Sequence, residues 1–272
     1  MHLPPVPLKT RLINTSEIEL WPPVLLHARG HTDARALARA RRVLRRKRDG
    51  RYLAAVLDSG LLALVPRLAR EPGMDEALDA LELLESPAAR RAPPPAPAPL
   101  PLDRLHARLD ALDIDAHAYA TRTGLSEIPE PDWLAFAGFD RWRRPLWLSL
   151  PAARAWMAMR RAAGADGVTL QAISGYRSHD YQSGILERKL ARGQALPEIL
   201  RVNAAPGYSE HHGGHALDIG TPGEPPAEES FEHTAAFAWL RANAGAFGFA
   251  MSYPRDNPHG IVYEPWHWRL TR

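Results

Sequence analysis

The chain has 272 residues, enough to bury a substantial core and more than one typical domain requires, so two domains or one domain with an appendage are expected. With 45% hydrophobic and 24% charged residues it has the make-up of an ordinary globular protein, and 34 Lys+Arg against 31 Asp+Glu leave a net charge of +3, too small to mark a dedicated nucleic-acid binder. Cysteine is absent, which excludes disulfides and thiolate metal sites, so any metal must be held by His, Asp or Glu.

No run of about 18 apolar residues occurs, so no membrane span is expected. The start, MHLPPVPLKTRLINTSEIELW, lacks the basic and apolar regions of a secretory signal. As written it predicts a cytoplasmic protein, or a periplasmic one if the true start or the export route differs. Residues 33–50, DARALARARRVLRRKRDG, read as a basic helix whose arginines form a solvated face, open to phosphate or to neutralisation by a neighbouring acidic segment. RYLAAVLDSGLLALVPRL fits a hairpin turning at Asp58, Ser59 and Gly60, or equally two short helical pieces. MDEALDALELLES reads as an acidic amphipathic helix, and nothing in this half forms a chemical motif. APPPAPAPLPL, residues 92–102, is a proline-rich spacer that divides an accessory domain, 1–91, from a second domain, 103–272.

Beyond the spacer, LDRLHARLDALDI reads as a helix, and LPAARAWMAMRRAAGADG as a stronger one stopped by Gly164 and Gly167. VTLQAIS is a strand, SHDYQSGILERKLARG a helix capped by Ser178, HALDIG a strand, and SFEHTAAFAWLRANAGAFG another helix. FGFAMSY and IVYEPWHWRL close the chain as two strands. Helices thus precede and interrupt a small antiparallel sheet, an α+β arrangement.

Within it, SEHHGGHALDIG, residues 209–220, places three histidines and an aspartate inside eight positions. A turn through Gly213 and Gly214 would fold His211 back toward Asp218, because glycine tolerates positive φ and close approach. Two ligands of a three-ligand zinc site are then at hand, and EPWHWR near the C-terminus offers a further histidine and carboxylate if its strand lies beside HALDIG. Glu264 and His267 are three apart and would face opposite ways in a straight strand, so Pro265 is expected to break it.

The forms Ser-x-His-x-x-Gly-x-Ala-x-Asp in SEHHGGHALD, Glu-x-Trp-His in EPWH, and SGYRSHDYQ upstream resemble the VanY-type zinc D-alanyl-D-alanine carboxypeptidases of the LAS metallopeptidase group. The resemblance runs from about Leu146 to Arg269, includes SYP before the last strand, and leaves the first hundred residues uncovered. It implies one Zn²⁺ held by His211, Asp218 and His267, and Glu264 as the general base that manages the proton of the metal-bound water. Arg177 would stand near the scissile carbonyl, and Gln182, Ser209 and Tyr253 would contact substrate. The implied substrates are peptidoglycan stem peptides or muropeptides. L,D-carboxypeptidase or endopeptidase action is the alternative within the family, and a non-catalytic wall-peptide module the alternative outside enzymes. His212 and His215 receive no ligand duty, although His215 is the first substitute should His211 fail; His179, His233 and His259 receive no role.

Overall fold

The structure is a computed structural model describing residues 10–86 and 94–271. The chain forms two compact units, Met1–Pro101 with Pro131–Leu134, and Leu102–Glu130 with Ala135–Arg272.

In the first unit β1 (Arg11–Asn14), β2 (Ile18–Trp21), β3 (Arg42–Arg46), β4 (Tyr52–Leu57) and β5 (Gly60–Ala63) pair consecutively and antiparallel. α1 (His31–Arg39) sets Ala36 against Ala55 and Leu57. α2 (Met74–Glu85) buries Met74, Ala77 and Leu81, an i, i+3, i+7 stripe, on Ile18, Leu20, Leu44 and Leu53.

The expected helix over 33–50 is a helix only to Arg39, and its second half is the strand β3. Pairing on both sides, Leu44 opposite Leu20 and Ala54, overrides the helical preference of an Ala/Arg-rich run. Three arginines of the basic run are paired with carboxylates: Arg45 with Glu19 at 2.7 Å, Arg46 with Asp49 and Glu71 at 2.6 Å, and Arg41 with Glu85 of α2 at 3.3 Å. Of the two readings for residues 51–68, the hairpin is the one formed. In its described part the proline-rich stretch is held by the side chains of Asp132 and Trp133: Ala98 N–H donates to Asp132 Oδ1 at 2.9 Å, and Trp133 Nε1–H to the Pro95 carbonyl at 3.2 Å. Residues 92 and 93 lie outside the described residues.

The second unit contains α3 (Leu105–Ala111), α4 (Ala116–Thr123), β6 (Trp133–Phe139, whose first two residues belong to the first unit), β7 (Pro145–Leu148), α5 (Leu150–Ala165), β8 (Gln171–Ser174), α6 (His179–Leu190) and α7 (Leu196–Val202). β9 (Ala216–Gly220), α8 (Ala235–Asn243), β10 (Phe249–Met251) and β11 (His267–Leu270) complete it. Its four-stranded sheet runs β10-β11-β9-β8, antiparallel throughout, so the α+β expectation holds. Helix starts follow the sequence: Ser149, Ser178 and Thr234 each accept a first-turn N–H on the side-chain oxygen. A helical core joins Leu105 and Leu109 of α3 to Leu186 of α6 and Ile199 of α7.

Several boundaries differ from expectation, among them FGFAMSY, of which only Phe249–Met251 is strand. The last strand begins at His267 rather than Ile261, because Pro265 and Trp266 form a turn, with His267 N–H bonded back to the Glu264 carbonyl at 3.1 Å. The helix expected over 230–248 is α8 flanked by short 3-10 turns, since Thr234 caps a new helix start behind the first turn. VTLQAIS contributes only Gln171–Ser174 to its strand.

Candidate metal centre

Two segments far apart in the chain, 211–218 and the one that carries His267, meet at one end of this sheet. Asp218 lies in β9, directly opposite His267 at the start of β11. His211 sits in a turn before β9 that closes with Gly214 N–H donating to the His211 carbonyl at 3.1 Å, Gly214 holding φ +70°. One donor atom from each of His211, Asp218 and His267 lies within 4.8 Å of the others, and all three side chains are buried. Among the described residues this is the group of mutually close His, Asp and Glu donors.

Hydrogen bonds decide which atoms face inward. His211 Nδ1–H donates to the Gly175 carbonyl at 2.7 Å, which leaves Nε2 toward Asp218 Oδ1 at 3.3 Å. His267 has Nε2 2.9 Å from Glu210 Oε2 and Nδ1 3.1 Å from Asp218 Oδ1. The second oxygen of Asp218 accepts from Arg177 Nη2, while Arg177 Nε–H is fixed by Ser174 Oγ at 2.8 Å. Glu264 stands beside the trio without joining it, its Oε2 3.8 Å from His267 Nδ1.

The titration of these groups follows from burial set against neighbours. Burial, reinforced by the Arg177 charge, lowers His211 to about 4, so its imidazole is neutral near pH 7. Burial also opposes a charge on His267, but hydrogen bonds to Asp218 and Glu210, with the charges of Asp218 and Glu264, outweigh it and raise the group to about 10. Burial raises Glu264 to about 7. Asp218 is held well below its ordinary range: burial works against the carboxylate, and His211 and Arg177 more than compensate. Glu210, resisted by burial but bonded to His267 and attracted by Arg269, falls to about 2.

A field that keeps a buried imidazolium charged up to about pH 10 is one that welcomes a cation. Two imidazole nitrogens and one carboxylate oxygen suit zinc, which is borderline in softness and accepts N and O donors. The fit is therefore good on donor chemistry and on field.

Gln182, Ser209 and Tyr253 all line the same cleft, about 300 Å³ in volume, together with Arg177, Glu264 and the trio. Gln182 is 1% exposed; its Nε2–H donates to the Ala204 carbonyl at 2.7 Å, and its Oε1 has no partner. Tyr253 packs its ring 4.8 Å from that of His267. His212 lies away from the donors and is structural: Nε2 accepts from Gly207 N–H at 3.0 Å, so Nδ1–H donates to the Arg177 carbonyl at 2.7 Å. His215 faces Ser149 Oγ at 3.1 Å.

Sequence reasoning missed Glu210 and Gly175. Glu210 was in view as the residue before His211, yet its partner His267 is 57 positions away. Its other oxygen accepts from Arg269 at 2.9 Å, so one carboxylate ties the His211 turn to β11. Gly175 is required for space, since a Cβ there would stand 2.9 Å from the Trp147 carbonyl oxygen.

The family model "VanY: D-alanyl-D-alanine carboxypeptidase" matches residues 146–271, the span that holds every one of these groups. The bifunctional D-Ala-D-Ala dipeptidase and carboxypeptidase VanXYC of Enterococcus gallinarum is 30% identical over 152 residues, 54% of this chain and 78% of that protein. The chain belongs to the VanY family. It is also similar to the D-alanyl-D-alanine carboxypeptidase of Enterococcus faecalis, 36% identical over 120 residues (40% of this chain, 43% of that protein), and to YodJ of Bacillus subtilis, 38% identical over 125 residues (44% and 45%). The chain thus spans under half the length of these two relatives. Among solved structures, VanYB in complex with D-alanine-D-alanine aligns at 31% identity and a TM-score of 0.40, covering 47% of this chain and 73% of that one.

Proposed function

We propose that this protein is a zinc-dependent carboxypeptidase that hydrolyses the terminal D-Ala-D-Ala amide of peptidoglycan stem peptides. The observation that carries the reading is Glu264, raised to about 7 by burial and placed 3.8 Å from His267 Nδ1 at the edge of the three-donor group. A carboxyl group tuned to the working pH takes a proton and returns it with little cost in either direction.

His211 through Nε2, Asp218 through Oδ1 and His267 through Nδ1 would hold the ion. Zinc held there would supply Lewis acidity for the hydrolysis. Glu264 then accepts a proton from the attacking water and delivers it to the departing amine. Arg177, anchored by Ser174 and Asp218, brings a guanidinium to the cleft, where it favours negative charge building on the substrate. Gln182 presents an unpaired acceptor to a substrate N–H, and Tyr253 forms part of the wall.

The experiment is mass spectrometry of the purified protein incubated with penta-, tetra- and cross-linked muropeptides, with and without chelator and zinc add-back. Loss of one D-Ala from the pentapeptide, abolished by chelator and restored by zinc, is the expected result. Cleavage of the tetrapeptide or the cross-link alone would reassign the bond, and an unchanged pentapeptide in the presence of zinc would defeat the proposal.

A further inference from the structure

Besides the metal-side groups, the cleft is lined by Lys189 of α6 and Asn203 just after α7. Gln182 and Lys189 are seven residues apart, two turns on one helix face, separated by about 10 Å along the axis. Lys189 is half-buried and donates to Asn203 Oδ1; among the described residues no carboxylate pairs with it. The other cations of the lining are already matched, Arg177 by Asp218 and His267 by Asp218 and Glu210. An ammonium has three N–H donors, so Lys189 retains capacity beyond its neutral amide partner. Gln182, joined through Ala204 to the loop that carries Asn203, offers the buried, unpartnered Oε1. The strip therefore holds one unmatched positive charge and one unfilled acceptor.

A peptide satisfies both at once, an N–H reaching Gln182 and a carboxylate reaching Lys189. About 10 Å equals roughly three residues of extended chain at about 3.3 Å each. We infer that Lys189, supported by Asn203, binds a carboxylate of the substrate peptide, so that the cleft selects anionic stem peptides over amidated ones. This rests on the peptidase reading, which makes the occupant a peptide.

The test uses three synthetic stem pentapeptides ending in D-Ala-D-Ala: one with all carboxylates free, one with the second residue's carboxylate converted to carboxamide, and one amidated only at the C-terminus. Steady-state KM and kcat are measured for the wild-type protein, Lys189→Met and Lys189→Arg. In the wild type, one amidated peptide should show a KM about five- to ten-fold above that of the free peptide, the size of one partly solvated charge-assisted contact. That ratio should fall to near one in Lys189→Met, persist in Lys189→Arg, and appear in KM far more than in kcat. Which amidated peptide responds identifies whether the carboxylate is internal or terminal. A ratio equal in wild type and Lys189→Met for both amidated peptides overturns the inference. If no peptide is cleaved the peptidase reading fails separately, and calorimetric titration of the same peptides decides on Lys189: preference for the free carboxylate lost in Lys189→Met upholds it, and no preference in the wild type sinks it.

Discussion

Loading zinc into the metal-free protein should expel a proton from His267, and the structure sets the size of the effect. Carboxylates flank both ring nitrogens, Asp218 Oδ1 at 3.1 Å from Nδ1 and Glu210 Oε2 at 2.9 Å from Nε2, and together they raise the imidazole to about 10. A ligating nitrogen must be bare, and Nδ1 is the one facing the other donors, so its proton has to leave while Nε2–H stays with Glu210. His211, lowered to about 4, is already neutral and releases nothing near pH 6. At that pH, about four units below the His267 value, displacing the proton costs about 5 kcal/mol. The cleanest arrangement is zinc titrated calorimetrically at pH 6 into Glu264→Gln, in buffers of different ionisation enthalpy. The variant removes the second titrating carboxyl, and pH 6 lies below the region near 7 where coordinated solvent ionises. About one proton should be released per ion, and apparent affinity should rise about tenfold from pH 5.5 to 6.5. Wild-type protein, with Glu264 raised to about 7, should release between one and two protons as the cation draws out the second. Release near zero in the variant, with a flat affinity, would refute the assignment of His267 Nδ1 as a ligand.

The same Glu264→Gln change should reduce peptide hydrolysis by about 10² to 10⁴ while zinc content persists. It should also alter the metal-free protein's response to pH. A carboxyl raised from 4.5 to about 7 contributes stability below its unfolded value and loses it as pH climbs through 7, an amount near 3 kcal/mol. Variant minus wild type should therefore rise by about 3 kcal/mol between pH 4 and 8 in chelator-treated denaturant titrations, and a constant difference would count against burial as the cause. Gly175→Ala drives a Cβ to 2.9 Å from the Trp147 carbonyl oxygen and disturbs the carbonyl that orients His211. Stability should drop by about 1 to 3 kcal/mol, and zinc competition against a chelator should show weaker binding. His212→Ala leaves the Gly207 N–H and the Arg177 carbonyl without the partners they have now, in a fully buried position. A loss of about 3 kcal/mol by chemical denaturation is expected, and a neutral substitution would show that the imidazole is not structural.

Much of the centre was legible along the chain because its parts are local in sequence. The His211 to Asp218 spacing, the glycine turn between them and the Ser178 cap ahead of α6 depend on residues within a few positions, and the structure forms each of them. The break at Pro265 was also readable, since a proline cannot supply the N–H a continuing strand needs. The basic run over residues 41–48 misled for the converse reason. Its helical preference is a property of single residues, whereas β3 is held by two neighbouring strands that only the folded chain supplies.

Which imidazole nitrogen faces the donors, that Glu210 rather than a water or a backbone group holds His267, and that Gln182 and Lys189 share a cleft with Glu264 were settled by tertiary contacts across tens of residues. The pattern of residue types is inherited directly from the sequence, so it can single out His211, Asp218 and His267 as candidate donors with Glu264 near them. The direction of a ring, the burial that raises Glu264 to about 7, and the charge left unmatched on Lys189 are sums over neighbours brought together from distant positions, and only the packed fold evaluates those sums.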